Sequence, residues 1–260
     1  MSLRVGEILA AIDRRAPFSS AAEWDAVGLQ IGDPEREVST MAVVHELTGR
    51  ILDGILSSGA ELVVTYHPLL FRPLSSVTAV PGAEGRVLAL AEGRVAVISV
   101  HTNWDAAAGG SSDSLAAALE IRDPEGFASS MTGAGHEIWL GRFGSFGGSV
   151  GDLADLVQAR LGARPRLSGP LDRVVRRVAV LPGSGGSRVE DAACAGADAY
   201  VTGDVSHHEA RRAADSGMVM VDAGHAPTER PGVRALYDLV AGIAHMPVEL
   251  VGGDDNPWGL

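Results

Sequence analysis

Val219-Met220-Val221-Asp222-Ala223-Gly224-His225-Ala226-Pro227-Thr228-Glu229 reads as a short apolar strand that stops at a glycine and delivers a histidine. A glutamate follows four residues later, beside the helix-start signal Thr228-Glu229-Arg230-Pro231. An imidazole and a carboxylate at the carboxyl end of a buried strand occupy the usual place of an α/β active site. They form a metal-binding pair of nitrogen and oxygen donors. The alternative is a histidine that only decorates a helix start, so the reading depends on what other strand ends carry.

Working outward, the same pattern recurs twice. Val63-Val64-Thr65 ends in Tyr66-His67-Pro68, and Ile98-Ser99-Val100 ends in His101-Thr102-Asn103-Trp104-Asp105. Strand-like runs at 40–45, 61–65 and 94–100 alternate with helix-like runs at 3–14, 50–58, 82–91 and on to Leu119, where Ser111, Ser112 and Asp113 are N-cap candidates. This order predicts an α/β fold with a mostly parallel sheet. A Gly/Ser-rich joint is expected at 123–135, followed by a hairpin from 136–140 and 144–148. A second cycle follows, with strands near 177–181, 198–202, 218–222 and 248–251 and a helix over 231–243. The expectation is two similar α/β domains, 1–125 and 126–260, with the helix and strand after about 231 able to pack back on the first.

Composition limits the chemistry. Of 260 residues, 46% are hydrophobic and 21% charged, ordinary for a globular chain with ample core. The net charge of −12 argues against nonspecific binding to nucleic acid or anionic membranes. Aromatic content of 5% disfavours a stacking platform for single strands. Every one of the 21 basic residues is arginine, which excludes a Schiff-base or P-loop lysine. With Cys194 as the only cysteine, an intramolecular disulfide is impossible and a thiolate metal site is disfavoured. No apolar run reaches the ~18 residues of a membrane span, and no signal-peptide pattern is seen, so a cytoplasmic protein is expected.

In a parallel sheet the strand carboxyl ends share one edge. His67, His101, Asp105, His225 and Glu229 therefore form a donor set without thiolate, suited to Zn, Mn, Fe or Mg. Each has a plainer reading: His67 as a turn residue before proline, Asp105 as a turn cap, His101 as a hydrogen-bonding neighbour of a ligand. His207-His208 follow the strand end Val201-Thr202-Gly203-Asp204 and are pocket or surface residues. Gly183-Ser184-Gly185-Gly186-Ser187 is either an anion nest or a tight turn. Arg72 is either a phosphate contact or a solvated arginine.

Together, Trp24-Asp25-Ala26-Val27-Gly28-Leu29, Thr65-Tyr66-His67-Pro68-Leu69-Leu70-Phe71, His101-Thr102-Asn103-Trp104-Asp105, Thr202-Gly203-Asp204 with His208, and Gly224-His225 with Glu229 resemble the NIF-three-like family. These dinuclear metal-centre proteins carry the label GTP cyclohydrolase 1 type 2. The resemblance implies two-domain α/β subunits in a toroidal homohexamer with a paired-metal site. It implies His67, Asp105, His225 and Glu229 as metal ligands. Read as a hydrolase, the chain would use His101 or His208 for proton transfer or to orient a ligand, and Arg72 remains the candidate substrate contact. The family's His-His-Pro is Tyr66-His67-Pro68 here, so Tyr66 replaces one ligand and the count is two divalent ions or only one. Val44-His45-Glu46-Leu47-Thr48 matches another family strand end but leaves His45 without a role. The implied activity is metal-dependent hydrolysis of a purine nucleotide or other small phosphorylated ligand. The alternative is a non-catalytic metal-binding or regulatory hexameric ring.

Overall fold

A computed structural model describes residues 2–253 and 257; the outermost ends of the expected domains lie outside them. The elements run β1 (Leu3–Arg4), α1 (Val5–Asp13), β2 (Gly28–Ile31), β3 (Glu37–Val38), β4 (Met41–Val44), α2 (Gly49–Ser58), β5 (Leu62–Thr65), α3 (Ala83–Glu92), β6 (Ala96–Ser99), α4 (Thr102–Ala106) and α5 (Ser111–Ala118). They continue with β7 (Arg122–Met131), β8 (Glu137–Ser149), α6 (Val150–Leu161), β9 (Arg166–Leu167), β10 (Val174–Ser184), α7 (Val189–Cys194) and β11 (Ala199–Gly203). The last are α8 (His207–Asp215), β12 (Val219–Asp222), α9 (His225–Ala244) and β13 (Val248–Val251). Two compact units result. Within the described residues the first comprises 2–107, 132–136, 233–253 and 257, and the second 108–131 and 137–232.

In the first unit the sheet order is β13-β4-β5-β6-β2. The first four strands are parallel, and β2 closes the edge antiparallel to β6. Met41–Val44, Leu62–Thr65 and Ala96–Ser99 are buried throughout, as parallel strands covered on both faces must be. Alternate residues serve opposite faces. Val43, Val64 and Ile98 meet Ile8 and Ile12 of α1 and Leu236 and Val240 of α9. Ala42, Val63 and Val97 meet Ile51 and Ile55 of α2 and Leu90 of α3. Helix α2 begins where the Thr48 hydroxyl accepts from Ile51 N, and it stops at Gly59, whose φ of +74° favours glycine.

In the second unit the order is β7-β8-β10-β11-β12-β9, and only β10, β11 and β12 are mutually parallel. The expected mostly parallel sheet is therefore found in the first unit, whereas this one is mixed, with β7·β8, β8·β10 and β12·β9 antiparallel. The Gly/Ser-rich joint at 123–135 is largely strand β7, and the boundary at 125 falls inside it. Small residues suit this strand, because Gly126 lies under the Trp139 ring of β8. The two hairpin pieces at 136–140 and 144–148 are one strand, β8, paired along most of β7. Helix α5 is capped at Gly110, one residue before the expected candidates. Asp113 Oδ2 accepts from Gly109 N, and the Ser112 hydroxyl donates to Leu140 O. Helix α9 starts at His225 rather than 231, and Pro231 lies within it.

Gly203 at the end of β11 is a packing requirement. A Cβ there would lie 2.5 Å from both the carbonyl carbon of Gly224 and the amide nitrogen of His225. These are backbone atoms that cannot swing aside. Gly203→Ala should cost about 3 kcal/mol, the upper range of overpacking, lowering Tm by roughly 6–12 °C. Gly54→Ala, in α2 with open space at its Cβ, should instead gain about 0.5–1 kcal/mol. Thermal unfolding of both variants checks the pair, and a Gly203→Ala protein as stable as wild type would show the close approach to be wrong.

No helix among the described residues is long and apolar enough to cross a membrane.

Candidate metal-binding groups

The ends of β4, β5 and β6 in the first unit are in register, with Val44 opposite Thr65 and Thr65 opposite Ser99. The backbone ladder continues past them: Tyr66 N donates to Val44 O, His67 N to His45 O and Val100 N to Thr65 O. His45, Tyr66, His67 and His101 therefore leave one sheet edge together. Their rings touch in sequence, His45 to His67 at 4.7 Å between centroids, His67 to Tyr66 at 5.1 Å and His67 to His101 at 5.3 Å. The Tyr66 ring is 1% exposed, and its hydroxyl donates to Asp105 Oδ1 at 2.6 Å. Asp105 reaches it from α4, the short helix after β6.

His101 is fixed from behind by Asp25, whose side chain is fully buried. Asp25 Oδ1 accepts from His101 Nδ1 at 2.9 Å and from Ala26 N at 2.8 Å. Its Oδ2 accepts from Thr102 N at 3.0 Å and from the Thr102 hydroxyl at 2.6 Å. Burial alone would push this carboxyl up, but the hydrogen bonds and charge of His101, with the Thr102 bonds, hold it below its ordinary pKa. When the His101 ring is neutral, an ionised Asp25 holds its one proton on Nδ1 and leaves the lone pair on Nε2.

The second unit has its own group, at the ends of β10, β11 and β12. Gly224, with φ of +87°, turns the chain off β12, and His225 opens α9. His225 Nδ1 pairs with Asp204 Oδ2 at 2.6 Å, and Nε2 lies 3.2 Å from Glu229 Oε1, one helical turn on. Glu229 is 3% exposed. Asp204 reaches the ring from a left-handed conformation, φ +54°, just beyond β11. Burial lowers the His225 pKa, but the hydrogen bonds and charges of Glu229 and then Asp204 outweigh it and carry it up to about 9. A folded pKa above the unfolded value makes this pairing fully stabilising below about pH 6.5. The contribution fades as pH rises through 9. In metal-free protein, a ring-proton NMR titration of His225 should give a midpoint near 9, falling by more than one pH unit in Glu229→Gln. A midpoint of 6.5 in the unaltered protein would mean that the two carboxylates do not hold the ring.

Of the two readings of segment 183–187, anion nest or tight turn, the surroundings favour the turn, because carboxylates lie against its glycines. The Gly183 amide donates to the Thr228 hydroxyl at 2.9 Å, and a Cβ at Gly183 would overlap the Glu229 carboxylate. Gly186 is packed in the same way against Glu209. Among the other expected site residues, Arg72 and His208 are exposed, and the His208 ring meets His207. His67, Tyr66, His101 and Asp105 thus form one group and His225 and Glu229 belong to another. Three participants had been given no role from sequence: Asp25, Asp204 and His45. Asp25 and Asp204 lie inside the segments 24–29 and 202–204 that carry the family resemblance, and a carboxylate is the usual partner of a ligating imidazole, but nothing in the local spacing ties either one to its histidine. His45, His67 and Glu229 are metal-donor candidates among the described residues.

A family model for Duf34/NIF3 (NGG1p interacting factor 3) matches residues 3–257. A Streptomyces coelicolor protein named GTP cyclohydrolase 1 type 2 homolog is 35% identical over 243 residues, covering 88% of this chain and 82% of the relative. A protein of the same name from Clostridium perfringens is 29% identical, with 88% of each chain covered. Among solved structures, a Bacillus cereus protein related to NIF3 superposes with a TM-score of 0.89 at 22% identity, covering 99% of both chains, which speaks for the fold alone. Reduced HcgD from Methanocaldococcus jannaschii gives a TM-score of 0.84 at 27% identity, covering 97% of this chain and 99% of that one. With its strand ends armed by histidine and carboxylate and the match running almost end to end, the chain belongs to the Duf34/NIF3 family.

Proposed function

We propose that the protein is a metal-dependent hydrolase with a dinuclear centre, ligated by His67, Asp105, His225 and Glu229. The observation that carries the proposal is the pairing of strand-end imidazoles with carboxylates, His101 on Asp25 and His225 between Asp204 and Glu229. That arrangement fixes the tautomer and direction of metal-site histidines. The donors are nitrogen and carboxylate oxygen, and Cys194 is exposed on α7, so the set fits Zn, Mn or Fe and not a thiolate site.

Divalent ions bound here would supply an activated water and a Lewis acid. Tyr66 holds one oxygen of Asp105 through its hydroxyl and so sets the direction of the carboxylate. His101, with its proton kept on Nδ1 by Asp25, offers Nε2 to take a proton from the attacking group. The substrate class is a purine nucleotide or another small phosphorylated compound, supported by the names of the relatives. Arg72 and His208, both exposed, are the proposed phosphate and proton-transfer contacts, and the active form is a homohexameric ring in the cytoplasm.

Metal stoichiometry on protein purified without chelator or affinity tag tests this reading. Two ions per subunit support the paired centre and lead to substrate screens beginning with GTP. One ion removes the dinuclear mechanism. None, even after reconstitution, leaves a ring that binds partners without catalysis.

A further inference from the structure

Resting on the metal-centre reading above, we infer that His45 is itself a metal ligand in this chain and works with His67. His45 follows β4 directly, and its carbonyl accepts from His67 N at 2.9 Å, so the two histidines leave adjacent parallel strands at one level. Their ring centroids are 4.7 Å apart with the planes tilted by 60°. That spacing is too close for a third side chain between them and is compatible with two nitrogens turned to one ion. His45 is 8% exposed, and both histidines are metal-donor candidates.

Tyr66 explains why this role falls to His45. Its ring lies nearly parallel to that of His45, 5.7 Å away at 18°, and its hydroxyl is spent as a donor to Asp105 Oδ1. Of the three ring side chains at the ends of β4 and β5, His45 and His67 are the two that carry ring nitrogens able to ligate an ion. Tyr66 supplies a wall and orients the carboxylate. Two imidazoles on one ion favour Zn²⁺, Fe²⁺ or Co²⁺ over Mg²⁺, whose preferred donors are all oxygen.

The competing role is structural, a stacked histidine filling the space beside Tyr66. His45→Phe separates the two, because it keeps a ring in that space and removes the nitrogens. The wild-type protein, His45→Phe and His67→Ala are made metal-free and titrated with Co²⁺, with bound ion counted by elemental analysis and the visible d–d bands recorded. The expected result is Co²⁺ binding by wild type and at least a 100-fold weaker, or missing, ion in His45→Phe. The metal-free thermal midpoint should stay within a few degrees. Tyr66→His added to His45→Phe should regain part of the lost binding by offering an imidazole from the neighbouring position.

Unchanged Co²⁺ stoichiometry, affinity and spectrum in His45→Phe overturn the inference and leave the metal reading standing. No Co²⁺ binding by wild type overturns both. If His45→Phe does not fold, proton NMR of the Co²⁺-loaded wild type decides. Each ligating imidazole gives one paramagnetically shifted exchangeable N–H, so His45, His67 and His225 should give three, and two would overturn the assignment.

Discussion

His225→Ala and Glu229→Gln should each strip metal from the protein while its oligomeric state, read by size-exclusion chromatography with light scattering, stays unchanged. The expectation follows from how narrowly the two side chains are held. Gly224 turns the chain so that the imidazole sits on the first residue of α9, and the i,i+4 spacing puts the Glu229 carboxylate 3.2 Å from Nε2. Glu229→Gln keeps shape and volume, so lost metal there reports the charge and not a collapsed pocket. Both variants should weaken binding by well over the ~10–100-fold typical of residues that merely orient a ligand. Asp204→Asn supplies that comparison. It removes the partner of Nδ1 but not a proposed ligand, and it should fall within the 10–100-fold range. If elemental analysis finds unchanged metal in both His225→Ala and Glu229→Gln, the assignment of this pair is wrong.

The central strands were readable because burial leaves a plain mark on composition. Met41–Val44, Leu62–Thr65 and Ala96–Ser99 are largely apolar runs that give way to polar or ring-bearing residues at His45, Thr65 and Ser99. The strand-end histidines followed from them. The antiparallel half of the second sheet was not readable. Segment 122–131 contains Asp123, Pro124, Glu125 and Gly126, all of which disfavour strands, and it is strand only because β8 pairs along it. Similarly, Pro231 suggested a helix start, although α9 carries it as its seventh residue, nearly two turns into the helix. The site's supporting carboxylates were hidden for another reason. Asp25 is 76 residues from the histidine it orients and Asp204 is 21 residues from its own. No local spacing connects such pairs, and only the fold does.

Asp25→Asn should be the most damaging isosteric change in the first unit, because all four groups bonded to the carboxylate are donors. His101 Nδ1–H and the Ala26 amide point at Oδ1, and the Thr102 amide and hydroxyl point at Oδ2. An asparagine must turn its NH₂ toward one of these pairs, so at least one backbone N–H is left facing another donor in a fully buried position. Hydrogen bonds to a charged group contribute about 1.5–3 kcal/mol, and a loss of about 2–3 kcal/mol lowers Tm by roughly 4–12 °C in a chain of this size. The pH dependence should change with it. Because the Asp25 pKa is depressed in the folded protein, its stabilisation is present above the ordinary carboxylate pKa and is lost as pH falls through the folded value. The variant should lack that part of the acid transition. The site should respond separately from the stability. If the amide NH₂ faces His101, the imidazole proton moves to Nε2, and the lone pair needed to accept a proton is gone. Nitrogen-15 chemical shifts of the His101 ring would show this directly, and under the proposed hydrolase function turnover should fall by the ~10²–10⁴-fold that a positioned base supplies. An Asp25→Asn protein with wild-type Tm and an unchanged His101 tautomer would show that the buried carboxylate neither holds the sheet edge together nor directs the histidine.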